Sequence, residues 1–130
     1  MTTRHTDLLV IGAGPAGAAA AIEARRAGLD VLVIAKAHFP RDKCCGDGLT
    51  AGALRHLDEL GLDPATVPSW QQVDDVHIAG PNGRRRVFPL PRSRGQFAAI
   101  TRRRELDAAL VDLARANGAD VVEGLSLIHI

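Results

Sequence analysis

A glycine-rich turn between an apolar run and an alanine-rich run is the feature that most constrains the fold of this chain. The apolar run lies at residues 7–11, and the turn carries glycines in the spacing GxGxxG at Gly12, Gly14 and Gly17. In this setting the spacing predicts a strand, a tight turn and a helix that together bind the pyrophosphate of a dinucleotide. Gly12 permits the turn, Gly14 lets a pyrophosphate approach the backbone, and Gly17 lets the helix pack against the sheet. The phosphates are expected on the free N–H groups at the N-terminus of the helix.

Hydrophobic periodicity and turn residues predict the other elements. We expect strands at residues 7–11, 31–35, 73–79, 84–88, 97–100 and 119–122, and helices at 15–27, 50–60 and 102–116. The first strand is expected to be buried on both faces. Residues 36–49 are predicted to be loop and residues 63–70 irregular, while Gly80-Pro81-Asn82-Gly83 is a hairpin turn signal. A strand, a helix and a strand within the first 35 residues form a βαβ unit, which predicts an α/β fold.

Composition and charge exclude several classes of protein. The 130 residues suffice for one modest domain, and 46% hydrophobic with 24% charged residues is typical of globular proteins. The net charge of +1 and the lack of aromatic residues among the arginines at 84–86 and 102–104 argue against a nucleic-acid partner. The sequence has neither a long apolar run nor a signal peptide, so a cytoplasmic location is expected. No histidine or cysteine spacing predicts a metal site, and the adjacent Cys44 and Cys45 are expected to be reduced thiols.

The last six residues, 125–130, match the translation of CTGTCTCTTATACACATC, a transposon end used in sequencing-library adapters. An ordinary apolar strand is the alternative explanation. We expect this segment to be adapter read-through and residues 1–124 to be the natural part of a fragment truncated at its C-terminus.

A second motif, Phe39-Pro40-Arg41-Asp42-Lys43-Cys44-Cys45-Gly46-Asp47-Gly48-Leu49, follows the second predicted strand. Its glycines would let the backbone approach a flat ring or a phosphate closely. Its two basic side chains place positive charge near a pyrophosphate. A polar surface loop with glycine turns is the alternative.

Together, the two motifs resemble the N-terminal part of the geranylgeranyl reductase family of FAD-dependent oxidoreductases. The resemblance extends over residues 7–122, is strongest through residue 50 and is weak at 63–96. It implies a Rossmann-like FAD-binding domain of the glutathione reductase type with an inserted β-hairpin. It also implies that reduced flavin reduces C=C bonds of isoprenoid lipids or quinones, with NADPH or another reductant as electron donor. The substrate domain of such proteins is absent here, so we expect the fragment alone to be inactive and any peripheral membrane contact to need the missing domain.

The resemblance also assigns site residues by position. The cofactor-binding residues it implies are Gly12, Gly14, Pro15, Ala16, Gly17, Ala35, Lys36, Arg41, Cys45, Gly46, Asp47, Gly48 and Arg103. Cys45 is the candidate catalytic residue, a thiol facing the reacting alkene. Burial beside an apolar chain would raise the pKa of this thiol and favour a neutral proton donor, and whether Cys45 transfers a proton stays open. Cys44 is expected to be a small buried side chain.

One position departs from the family pattern. Relatives have Glu or Asp at the end of the second strand, where a carboxylate binds the adenosine ribose, whereas this chain has Ala35. Each lost charge-assisted hydrogen bond costs roughly 1.5–3 kcal/mol, enough to weaken FAD binding roughly tenfold to a hundredfold. A small residue followed by Lys36 also suits the 2′-phosphate of NADP. An NADP-binding module therefore stays open as an alternative. A flavin monooxygenase or halogenase of the aromatic-hydroxylase type stays open because such proteins share the glycine fingerprint. A non-enzymatic fragment that folds poorly and binds nothing is the third alternative.

Overall fold

The computed structural model describes residues 3–45, 47–91, 97–126 and 128. The described strands are β1 (Leu8–Ile11), β2 (Val31–Ala35), β3 (Gly48–Thr50), β4 (Gln71–Gln72), β5 (Asp75–Ala79), β6 (Arg85–Pro89), β7 (Ala98–Ile100) and β8 (Asp120–Glu123). The helices are α1 (Pro15–Arg26), α2 (Ala51–Glu59) and α3 (Arg103–Ala116), with a 3₁₀ turn at Pro64–Thr66. The chain divides into a first unit, residues 1–45 and 103–130, and a second unit, residues 46–102.

The first unit is a three-stranded parallel sheet in the order β1-β2-β8. Val10 pairs with Val33 across β1 and β2, and Val33 pairs with Val121 across β2 and β8. Helix α1 connects β1 to β2 and packs against both strands and against α3. The core of this unit is formed by buried apolar side chains from these elements, including Val10, Ala18, Ala21, Ile22, Val31, Val33, Leu106, Leu110 and Val111. The predicted βαβ unit and α/β fold class are confirmed.

The expectation that the first strand is buried on both faces is wrong. Val10 is buried, but Leu9 is 47% exposed and Ile11 58% exposed. Alternate residues of a strand face opposite sides of the sheet, so Leu9 and Ile11 lie on the face opposite Val10. Helix α1 packs on the side of Val10, and within the described residues nothing covers the other side of β1 to the same degree.

The second unit contains a three-stranded antiparallel sheet in the order β3-β7-β4. Strand β3 lies where the sequence predicted loop, and the two-residue β4 was not predicted either. Leu49 of β3 pairs with Ala99, and so does Gln72 of β4. Both strands are too short to show a period-2 pattern, so pairing with β7 rather than local sequence defines them. Helix α2 begins after Thr50, whose side-chain oxygen accepts a hydrogen bond from the N–H of Ala53 at 3.3 Å.

The predicted β-hairpin is present as β5 and β6, also in the second unit. Val76 pairs with Phe88 and Ile78 with Arg86. Every residue of both strands is exposed. Four large apolar side chains of this hairpin, Val76, Ile78, Val87 and Phe88, are 42–56% exposed.

In the part of the chain that the structure describes, no helix combines the length and the apolar character needed to span a bilayer.

Candidate functional site

The glycine turn after β1 has the geometry that its spacing predicts. Gly12 adopts a φ of +97°, a left-handed conformation that strains any residue with a side chain. A Cβ atom at Gly17 would lie 1.9 Å from the carbonyl oxygen of Gly12, so only glycine fits there. Gly14 has an ordinary φ of −71° and its Cβ position is sterically free except for Arg41 at 3.6 Å. Gly12 and Gly17 are therefore required by the fold itself, whereas Gly14 leaves open space next to the backbone.

The N-terminus of α1 is suited to an anion. Gly14 is the N-cap residue and no side chain caps the helix. Pro15 is the first helical residue, Ala16 is exposed, and the first turn has no acidic side chain. The N–H groups of a first helical turn lack partners within the helix, and the helix dipole favours negative charge there. The predicted residues thus lie in one continuous turn whose geometry suits an anion, namely Gly12, Gly14, Pro15, Ala16 and Gly17.

Arg41 lies beside this turn. Its Nη2 atom is the closest neighbour of the Gly14 Cβ position and forms an ion pair with Asp107 at 3.1 Å. Its Nη1 atom is buried and has no hydrogen-bond partner among the described residues. The guanidinium also lies 5.0 Å from the ring centre of Phe39. Because a buried donor without a partner is costly, the free Nη1 fits a ligand oxygen at the glycine turn.

Arg103, the first residue of α3, joins the same cluster. Its Nε and Nη2 atoms donate to the two carboxylate oxygens of Asp107 at 2.8 and 3.0 Å. These hydrogen bonds, reinforced by the Cys45 side chain and opposed by burial, raise the pKa of Arg103 above its ordinary value. The structure therefore brings the predicted residues Arg41, Cys45 and Arg103 together, although they come from distant parts of the sequence.

Asp107 is not among the site residues predicted from the sequence, where it served only to locate Arg103, four residues earlier. Its side chain is completely buried and binds both arginines. The available signal was the spacing of Arg103 and Asp107, four residues apart on one helix, which places the two side chains on one face. A carboxylate on the buried face of α3, among Leu106 and Leu110, needs such partners.

Two expectations about the cysteines are wrong. Cys44 and Cys45 are both exposed thiols, not buried ones. The Cys45 side chain interacts with the Arg103 guanidinium, which is a positive charge. In the described part of the chain, Cys45 therefore lies exposed beside a cation and not in apolar surroundings.

The ribose end of the expected site has no carboxylate at Ala35, which is buried, and Lys36 is exposed. Glu123 is the register partner of Ala35 on β8. Its carboxylate accepts hydrogen bonds from Arg115 at 2.7 Å and from the N–H of Phe39 at 3.1 Å. The Arg115 hydrogen bond, helped by Phe39, lowers the pKa of Glu123 despite burial. Glu123 thus anchors the segment after β2, and its oxygens are already engaged.

The remaining predicted residues lie in the second unit. Asp47 has a positive φ of 50°, and its carbonyl oxygen accepts a hydrogen bond from the N–H of Thr101 at 3.0 Å. Gly48 is the first residue of β3 and is exposed. Gly46 lies outside the described residues. Within the described ranges, no group of three His, Cys, Asp or Glu side chains is arranged to hold a metal ion.

The fold and the turn define a protein that binds a dinucleotide on a βαβ unit. The chain belongs to the FAD binding domain family, whose model matches residues 5–128. An uncapped helix N-terminus and the free Arg41 Nη1 beside Gly14 fit the pyrophosphate of FAD.

Three known proteins place the chain within this family. It is 38% identical over 135 residues to a menaquinone reductase of Mycolicibacterium smegmatis, a match that covers 100% of this chain and 31% of the relative. It is 35% identical over 116 residues to digeranylgeranylglycerophospholipid reductase 2 of Methanopyrus kandleri, covering 88% of this chain and 27% of the relative. The structure of the flavin-dependent brominase Bmp2 matches with a TM-score of 0.75 and 29% identity, covering 92% of this chain and 29% of that protein. The chain therefore spans about a third or less of each of these relatives.

Proposed function

We propose that this chain is the FAD-binding part of an oxidoreductase that reduces C=C bonds of isoprenoid substrates with reduced flavin. The observation that carries the proposal is the similarity to a menaquinone reductase over the whole chain. A second relative is named for a substrate with geranylgeranyl groups. The substrate class that both names support is a lipid or quinone with an isoprenoid chain. NADPH or another reductant is the proposed electron donor, and the proposed location is cytoplasmic.

The residues of this chain would contribute binding and orientation. The glycine turn and the N-terminus of α1 would bind the pyrophosphate, and Arg41 would add a charge-assisted hydrogen bond through its free Nη1. When bound, reduced FAD would supply a hydride to one alkene carbon, and a proton from solvent would complete the reduction at the other. Cys45 is our candidate for the thiol next to the alkene. Cys45 is exposed beside the Arg103 guanidinium, and we assign it to contact with the substrate rather than to donation of a proton.

The test is an anaerobic reduction assay with a full-length protein that contains this chain. Flavin is reduced first, and its reoxidation is followed after addition of a geranylgeranyl lipid or a menaquinone. We expect reoxidation together with a mass increase of two hydrogen atoms for each reduced bond. Cys45→Ala is expected to slow this step about tenfold or more, whereas the matched variant Cys44→Ala, an exposed neighbour, is expected to leave it unchanged. A reduced flavin that is reoxidised by neither substrate, with no mass increase in either, would overturn the proposal.

The 130-residue chain by itself is expected to be inactive in this assay, because it spans only 31% of the menaquinone reductase. Turnover of an isoprenoid substrate by the purified chain with reduced flavin would contradict this expectation.

A flavin-dependent halogenase is the second candidate function. The similarity to the brominase structure supports it, because that flavin-dependent protein matches 92% of this chain at 29% identity. The same full-length protein, supplied with oxygen, bromide and an aromatic substrate, would then form a brominated product. Bromination without isoprenoid reduction favours this candidate.

An NADP-binding module is supported by Ala35 and Lys36 alone. Titration of the chain with FAD and with NADPH separates the two cofactors. We expect flavin absorbance to remain with the protein through gel filtration. Tighter binding of NADPH than of FAD would overturn the proposed use of FAD.

A further inference from the structure

Two arginines share one buried carboxylate beside the glycine turn. The Asp107 side chain is 0% exposed, while those of Arg103 and Arg41 are 18% and 21% exposed. The carboxylate balances only one of the two guanidinium charges. This three-residue cluster, which we call the arginine–aspartate cluster, therefore carries one uncompensated positive charge in a largely desolvated place, where electrostatic attraction is stronger than in water.

The hydrogen bonds of Asp107 determine where the positive charge of the cluster lies. Arg103 is held by two parallel hydrogen bonds to both carboxylate oxygens, a rigid planar arrangement. One of these oxygens, Oδ2, also binds Nη2 of Arg41 at 3.1 Å, which leaves Nη1 of Arg41 free. Nη2 lies 3.6 Å from the Cβ position of Gly14, so the free donor is close to the turn.

We propose that Asp107 is a positioning residue for the cofactor pyrophosphate. It holds Arg41 and Arg103 in fixed rotamers at the glycine turn, so that an anion bound there meets donors that are already ordered. Ordering a long side chain only on binding costs conformational entropy, and Asp107 removes this cost for both arginines. The inference rests on the binding of FAD at the glycine turn, but it does not depend on which substrate the flavin reduces.

Two substitutions of Asp107 test the proposal, one by moving the carboxylate and one by removing its charge. Asp107→Glu keeps the charge but moves the carboxylate by one methylene, and Asp107→Asn keeps the shape but removes the charge. Asp112→Asn is the matched control, because Asp112 lies on the same helix and its side chain is 75% exposed. Circular dichroism establishes which variants fold. Asp107→Glu keeps the test decisive if the amide variant does not fold, since it leaves both guanidiniums with a negative partner.

The measurement is the fluorescence polarisation of FAD titrated with the 130-residue chain. Bound FAD is then displaced by inorganic pyrophosphate or by riboflavin. We expect Asp107→Glu and Asp107→Asn to weaken FAD binding roughly tenfold and to weaken displacement by pyrophosphate by a similar factor. Displacement by riboflavin, which has no phosphate, is expected to change little, and Asp112→Asn should behave like the unchanged chain. If Asp107 only stabilised the fold, its substitution would change displacement by riboflavin as much as displacement by pyrophosphate.

Unchanged FAD and pyrophosphate affinity in both Asp107 variants would overturn the proposal. Tighter binding in Asp107→Asn would also overturn it, because Asp107 would then compete with the phosphates for the arginines. If the unchanged chain does not bind FAD, the assignment of FAD to the glycine turn fails and the inference fails with it. Failure of isoprenoid reduction in the full-length protein would leave these binding results intact.

Discussion

Val33 in β2 and Val87 in β6 are the same residue type in regular strands, yet Val33 is 1% exposed and Val87 is 53% exposed. The difference lies in what covers each strand. Helix α1 packs on β1 and β2, and α3 packs on α1 and β8, whereas within the described residues the hairpin strands have only each other as close neighbours. Fully burying a valine side chain contributes about 1.5–3 kcal/mol to the free energy of unfolding. The buried apolar residues of the first unit provide this stabilisation, and the exposed ones of the hairpin do not. Apolar residues in a strand therefore stabilise the chain only where a second layer covers them.

The largest difference in stability between the two regions is expected when a large apolar side chain is changed to alanine. Leu110, 1% exposed on α3, is expected to lose about 3 kcal/mol of unfolding free energy when changed to alanine, since the cavity cannot refill completely. Urea denaturation followed by far-ultraviolet circular dichroism measures this loss. The control Val87→Ala should change stability by less than about 0.5 kcal/mol. Equal losses at the two positions would mean that the hairpin is covered after all.

The next largest effect concerns glycine in the two units. Gly17→Ala places a Cβ against the Gly12 carbonyl and is expected to cost about 2–3 kcal/mol. Gly52→Ala in α2 is the control, because its Cβ position is 3.9 Å from the nearest atom, the Thr50 Oγ1. There alanine should stabilise the helix by roughly 0.5–1 kcal/mol. Thermal unfolding of both variants measures the two effects. Destabilisation by Gly52→Ala would show that the space next to Gly52 is too small for a Cβ atom.

A smaller and pH-dependent effect is expected at Glu123. Its carboxyl pKa is lowered in the folded chain from the ordinary value of 4.5, so its ionised form stabilises the fold above that pH. This contribution is lost as the pH falls through the lowered pKa, where the carboxylate takes up a proton. Glu123→Gln is expected to cost about 1–2 kcal/mol at pH 7 and less at pH 3, as measured by urea denaturation.

Glu59→Gln is the matched control for that measurement. The Glu59 side chain is 61% exposed next to His56, and exposed ion pairs contribute about 0–1 kcal/mol. A pH-independent cost at Glu123, or an equal cost at Glu59, would contradict the role of the Arg115 and Phe39 hydrogen bonds.

The smallest stability effect is expected on the hairpin surface. Ile78→Thr keeps a β-branched side chain in β5 and removes exposed apolar area, so stability should change by less than about 0.5 kcal/mol. Light scattering at high protein concentration is expected to fall, because exposed apolar strands promote association. Ile78→Val, which stays apolar, should scatter like the unchanged chain. A large loss of stability in Ile78→Thr would show that Ile78 is buried in solution.

Much of the first unit could be predicted because its signals are local. The apolar runs of β1 and β2, the glycines between them and the helix stop at Gly28 lie within a short stretch, and the structure confirms each element within a few residues. The helix of residues 102–116 was predicted from its apolar spacing and is present as α3. The short strands β3 and β4 were missed, because their pairing with β7 joins segments that are far apart in sequence.

By itself, the sequence determined the βαβ unit and the glycine turn, because backbone sterics at Gly12 and hydrophobic periodicity act between near neighbours. It also located Arg41, Cys45 and Arg103 through a resemblance. Only the tertiary structure decided that Arg41 and Arg103 converge on Asp107, that Cys45 is exposed next to a cation, and that the hairpin buries none of its strand residues. The physical reason is that desolvation and ion pairing depend on which distant segments pack together, and no local pattern specifies that packing.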